Sequence, residues 1–172
     1  MGEALERKTT KAISRSGERD GKFLTFNLAG EEYGIGILKV KEIIGMMPIT
    51  PVPQTPHFVR GVINLRGQVI PVIDLRQKFG MADLAYTDRT SIIVVEVRFG
   101  TSKVQIGIVV DSVSEVVNIK SEDVEETPTF GTKMDTDYIL GMAKISGGVK
   151  ILLDIDRVLT GQEMDALAPI TE

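Results

Sequence analysis

The chain has 172 residues, 42% apolar and 26% charged, with a net charge of −4 and no cysteine. That balance excludes disulfides, thiolate metal sites and a Cys nucleophile, and argues against a nucleic-acid or anionic-membrane surface. No apolar run reaches membrane-spanning length and the N-terminus lacks the apolar core of a signal peptide, so the expectation is a soluble intracellular chain of one domain, or two small ones sharing a core.

Met1 to Asp20 is polar and mixed in charge and reads as a flexible tail outside the fold. Phe23–Leu28 and Tyr33–Ile37 read as strands joined by a turn at Ala29–Glu32. Leu38–Ile44 has Val40, Ile43 and Ile44 at helical spacing but is short, which suits a helical turn running into a strand. Pro48, Pro51, Pro53 and Pro56 make the next stretch an extended connection, since proline removes the donors that a helix or central strand needs.

Gly61-Val-Ile-Asn-Leu-Arg-Gly-Gln-Val-Ile-Pro-Val-Ile-Asp-Leu75 is the most informative stretch. Two β-branched runs fold back at Arg66-Gly67, a hairpin signal in which Gly67 supplies the positive φ and Arg66 sits at the tip. Asp74 is placed to cap a short helix over Leu75–Phe79, closed by Gly80. Met81–Arg89 is a polar link. Ser91–Val97 and Val104–Val110 form another strand pair, and Asn118–Asp137 reads as a long polar loop. A helix is expected from about Asp154 to Leu159, and another from about Gln162 to Leu167.

The chain also resembles itself. Gly141–Ile155 lies on Gly61–Leu75 without a gap, so that Gly67 meets Gly147, Val69 meets Val149 and Asp74 meets Asp154. Upstream, Gly107–Val117 lies on Gly34–Ile44. Two structural repeats of about 70 residues are the economical reading. Asn64-Leu-Arg66 becomes Lys144-Ile-Ser146 in the second copy, so the hairpin does not itself require the Arg. Short strands at hairpin spacing with few helices predict an all-β protein of small barrels or a sandwich.

Catalytic and ligand motifs are not evident. His57 is the only histidine and has neither an orienting acid nor a nucleophile in any motif, so it reads as an exposed spectator. Gly34-Ile-Gly36 and Gly147-Gly148 lack the context of a phosphate loop. Asp135-Thr-Asp137 and Asp154-Ile-Asp156 lack the central Gly and terminal Glu of a Ca²⁺ loop. The reading is therefore no enzyme, no cofactor and no metal. A tip Arg beside a rigid proline loop points instead to protein–protein recognition. Phe130, an aromatic among polar residues, is either a contact anchor or a cap on the core.

The motifs Glu31-Glu-Tyr-Gly34, Ile37-Leu-Lys-Val-Lys-Glu-Ile43, Gly61-Val-Ile-Asn-Leu-Arg-Gly67, Pro71-Val-Ile-Asp-Leu75 and Gly107-Ile-Val-Val-Asp111 resemble the CheW family of bacterial chemotaxis coupling proteins, over about residues 21 to 160. The resemblance implies two SH3-like five-stranded β-barrels around a shared core, with short edge and C-terminal helices. The divisions would be a tail at 1–20, barrel repeats at 21–88 and 89–160 with strands open to exchange, and a helix and tail at 161–172.

The family implies a non-catalytic adaptor between the histidine kinase CheA, through its regulatory domain, and the cytoplasmic tip of methyl-accepting receptors. Such an adaptor would be cytoplasmic, held at the inner face of the membrane by receptor arrays, a monomer when isolated, and without nucleic-acid binding or membrane insertion of its own. Carried over by motif, the receptor-facing residues would be Val40, Glu42, Gly61, Asn64 and Arg66, with Glu42 and Arg66 pairing across the barrel junction. The kinase-facing ones would be Gly67, Val69 and Phe130. The alternatives are the CheW-like regulatory domain of a CheA-type kinase, or a small β-barrel ligand-binding protein using His57 and the acidic loop.

Overall fold

The structure, a computed structural model, describes residues 21–126 and 137–171. The first half contributes β1 (Gly21–Leu28), β2 (Glu31–Gly36), β3 (Val40–Gly45), β4 (Val59–Leu65), β5 (Gln68–Asp74) and the one-turn helix α1 (Leu75–Lys78). The second contributes β6 (Ser91–Phe99), β7 (Ser102–Val110), β8 (Ser112–Ile119), β9 (Val124–Glu125), β10 (Ile139–Ile145), β11 (Gly148–Leu153) and the helix α2 (Gly161–Thr171).

The strands form two sheets, ordered β8-β1-β2-β11-β10-β9 and β3-β6-β7-β5-β4. In the first, β9 continues β8 through a 3-10 turn at Ser121–Asp123 and pairs with β10, so one bent segment joins both ends of the order. In the second, Thr50 downstream of β3 bridges Val62 of β4 and does the same. Two small five-stranded barrels result, as expected. Their composition does not follow the repeats. Each barrel takes the first two strands of one repeat and the last three of the other, so the β1–β2 and β6–β7 pairs are exchanged.

This exchange explains the apolar runs. β6 buries Ile92 and Val94 inside its own barrel, and Ile93, Val95 and Val97 in a second cluster on its other face. A strand covered on both sides reads as continuous rather than alternating. The second cluster is the shared core: Leu24, Phe26 and Leu28 of β1 and Ile35 of β2 meet Ile106, Ile108 and Val110 of β7. Met164 and Leu167 of α2 close it. Gly107 is needed on the opposite face of β7, inside the barrel, because a Cβ would lie 2.8 Å from Ile92 Cγ2.

The helix N-termini are capped by local chemistry. Asp74 accepts from the Arg76 N–H, as expected of an N-cap. Thr160 and Glu163 form a reciprocal capping box at α2, at 3.1 and 2.8 Å. Other expectations need correction. The segment expected to be helical over Asp154–Leu159 is only a 3-10 turn at Ile155–Arg157, because the capping box at Thr160 starts a new helix three residues on and leaves room for a single turn. The loop expected over Asn118–Asp137 begins as the end of β8, the 3-10 turn and β9. Phe130 and the tail lie outside the described residues.

Candidate functional site

The β4–β5 hairpin turns through two residues with positive φ, Arg66 at 52° and Gly67 at 85°. This is the primed turn whose twist matches the strands, and it needs φ > 0 at both central positions. Glycine adopts that conformation freely; arginine is strained in it. The Gly67 N–H donates to Asn64 Oδ1 at 2.8 Å, which braces the turn from inside. Asn64 therefore shapes the tip that presents Arg66.

The Arg66 guanidinium reaches Glu42 on β3, donating from Nη1 to Oε1 at 3.0 Å and from Nη2 to Oε2 at 2.6 Å. Both residues belong to the β6 sheet, so the pair links the two ends of one barrel's strand order. It does not cross the junction between barrels, as the sequence reading supposed, because β3 and the β4–β5 hairpin come from the same repeat and stay together in one sheet, while the exchanged pairs are β1–β2 and β6–β7. The Arg66 hydrogen bonds hold the Glu42 carboxyl below its ordinary range, and Glu42 raises Arg66 in turn. Arg66 stays 71% exposed, so a pinned guanidinium keeps donors open to solvent.

The other expected residues separate into distinct places. Val40 is half-buried and packs against the shared core, split from Glu42 by a bulge in β3. Gly61 is buried beneath the proline loop with φ 141°, where a Cβ would sit 2.1 Å from the Thr50 carbonyl oxygen. Val62 exchanges two backbone hydrogen bonds with Thr50 there, at 2.8 and 2.9 Å. Val69 is 51% exposed, directly across β4 from Asn64. Ile43 is also exposed, a feature the sequence reading missed because its helical spacing suggested burial.

His57 is exposed, with Nε2 3.2 Å from the Gln77 carbonyl oxygen. It does not line the cavity between α1 and the 81–90 link, formed by Asp74, Arg76, Leu84, Tyr86, Thr90 and Asp111 among others. That cavity is walled by a polar network. Asp74 accepts from Arg60 and from the Tyr86 hydroxyl, and Arg60 also reaches Asp83. Burial and the neighbouring Asp74 push Tyr86 up to about 12, so the hydroxyl keeps its proton and donates. Its members satisfy one another, which is the behaviour of a strap that fixes the link. Among the described residues, no group of three or more His, Cys, Asp or Glu could hold a metal ion. No helix there is long and apolar enough to cross a membrane.

Comparison with known proteins agrees with this architecture. Residues 22–163 match the family model described as CheW-like domain. A chemotaxis protein CheW of Klebsiella aerogenes is 43% identical over 150 residues, which cover 87% of this chain and 88% of that one. A chemotaxis protein CheW of Rhizobium meliloti is 34% identical, with coverages of 84% and 91%. The crystal structure of a scaffolding protein CheW from Thermoanaerobacter tengcongensis superposes with a TM-score of 0.74 at 37% identity, covering 84% of this chain and 97% of that one. With two exchanged barrels, a shared core and the Asn-Leu-Arg-Gly hairpin in place, the chain belongs to the CheW-like family.

Proposed function

We propose that this protein is a non-catalytic chemotaxis adaptor that couples the cytoplasmic tips of methyl-accepting receptors to the regulatory domain of the histidine kinase CheA. It works in the cytoplasm, at the inner face of the membrane. The observation that carries the reading is the exposed, pinned Arg66 on a braced hairpin, in a chain whose relatives are named as chemotaxis and scaffolding proteins. Signal then passes by contact geometry. A receptor helix meets Arg66, which Glu42 holds in place, and Val40, Gly61 and Asn64 support that surface by packing and turn geometry. Val69, with Gly67 beside it, offers exposed apolar surface to the kinase, and Phe130 is a further kinase-facing candidate.

The test is capture of purified kinase and receptor signalling fragment by wild type and by Arg66→Ala, with folding checked by thermal melt. Capture of both by wild type, and loss of receptor alone in a normally melting variant, is the expected result. Capture of neither partner by wild type overturns the reading.

A further inference from the structure

Two ion pairs with reversed charges lie at related places where the barrels join: Arg76 and Asp156 are equivalent in the two repeats, while Asp111 and Lys39 are one residue out of register. Arg76, in α1 just after β5, donates to Asp111 from Nε at 2.7 Å and from Nη2 at 2.5 Å. Asp111 lies where the chain leaves β7 for β8, crossing from one barrel to the other. Its Oδ2 also accepts from the Ala29 N–H at 2.9 Å, at the tip of the β1–β2 hairpin of the other barrel. In the gapless overlay of the repeats, Arg76 falls on Asp156, just after β11. Asp156 accepts from Lys39 Nζ at 2.6 Å, and Lys39 lies where the chain leaves β2 for β3. The second Asp156 oxygen accepts from the Arg98 N–H at 3.0 Å, close to the β6–β7 tip. Each cluster thus ties a post-hairpin turn, a crossover and an exchanged hairpin together.

The two are unequal. The Arg76 side chain is 10% exposed and also donates to the Ala82 carbonyl oxygen, whereas Lys39 is 34% exposed and makes one bond to its acid. A shared apolar core is non-directional and holds two barrels together without dictating one angle between them. Charge-assisted hydrogen bonds are directional and do dictate it.

We propose that these two clasps set the angle between the barrels, and that Lys39 and Asp156, the weaker clasp, are positioning residues for coupling. Arg76–Asp111 is then the fixed side of the joint, and Lys39–Asp156 the side at which it opens. The role in coupling rests on the adaptor reading; the role in geometry does not.

The chain has no cysteine, so spin labels can be placed on cysteines introduced at exposed Thr101, in the β6–β7 turn, and Asn118, on β8. Their distance distribution is measured by pulsed electron paramagnetic resonance in the full chain, alone and as Lys39→Glu and Lys39→Arg. The same variants are tested for separate binding to receptor and kinase fragments, and for kinase stimulation with both present. Lys39→Glu is expected to melt like wild type, to bind each partner within about twofold of wild type, to broaden the distribution and to lower stimulation by about threefold or more. Lys39→Arg restores both readouts. A Lys39→Glu protein that keeps wild-type values in either readout overturns the proposal. If wild type binds neither partner, the adaptor reading falls, and the distance distribution alone still decides whether the clasp sets the geometry.

Discussion

Arg66 and Glu42 close a two-pronged ion pair, at 3.0 and 2.6 Å, from a hairpin tip whose backbone is strained at φ 52°. Strain beside an exposed charge means the position is not optimised for stability. Asn tolerates the left-handed conformation better than Arg does. Arg66→Asn is therefore expected to melt at or above the wild-type temperature while losing receptor capture. A variant that melts lower and still captures receptor would contradict both halves of this account.

Glu42 acts on Arg66 by holding it still. Glu42→Gln leaves the cation in place but frees its rotamers, and ordering one long side chain on binding weakens association by about twofold to tenfold. Titration of receptor fragment against Glu42→Gln should show that intermediate loss, against complete loss in Arg66→Ala. Equal losses in the two would mean that Glu42 is itself a contact.

Gly61 has a structural reason to be glycine that is independent of any partner. A Cβ there would overlap the Thr50 carbonyl at 2.1 Å and break the bridge that closes the β6 barrel. Gly61→Ala is expected to destabilise by about 2 kcal/mol or more, read from urea midpoints. Any loss of receptor binding should then be recovered by lowering the temperature.

Acid should weaken the fold through two depressed carboxyls. Burial pushes Asp111 and Glu163 up, but hydrogen bonds from Arg76 and Ala29 to the first, and from Lys78 and Thr160 to the second, outweigh it. The unfolded chain then binds more protons than the native one. Stability is present above the ordinary values, 3.8 and 4.5, and is lost as pH falls through the lower native ones. Urea midpoints between pH 3 and 6 should fall with acid for wild type and fall less for Asp111→Asn, from a lower starting point.

Asp154 has the opposite sign. Burial raises it, so its charged form is disfavoured in the fold and its contribution improves as pH drops. Asn keeps the oxygen that accepts from the Asp156 N–H. Asp154→Asn is expected to raise the melting temperature at pH 7 by a few degrees, roughly what 1 kcal/mol supplies, with the gain shrinking toward pH 4. A gain that grows on acidification would reverse the assignment.

Local features of this protein were legible in the residues alone. Arg66-Gly67 marked a primed turn, Asp74 a helix cap and the four prolines an extended loop, because each depends on a few neighbouring dihedrals. The internal repeat was legible too, from paired glycines and acids. Strand partnership was not: periodicity says which faces of a strand are buried, not which strand lies beside it, so the exchange of β1–β2 and β6–β7 was decided only by packing. Glu42 and Arg66 stay in one barrel, since β3, β4 and β5 are not exchanged. The exchange of β1–β2 and β6–β7 brought Arg76 to Asp111 and Lys39 to Asp156, residues that the sequence reading had placed in a capped helix, a family motif, a helical turn and an incomplete Ca²⁺ loop. Opposite charges at the equivalent positions Arg76 and Asp156 were the available signal. Turn and cap chemistry was determined along the chain, while the long-range ion pairs, apart from the Glu42–Arg66 pair that the family resemblance implied, waited on the fold, since charge acts through space and the sequence records only order.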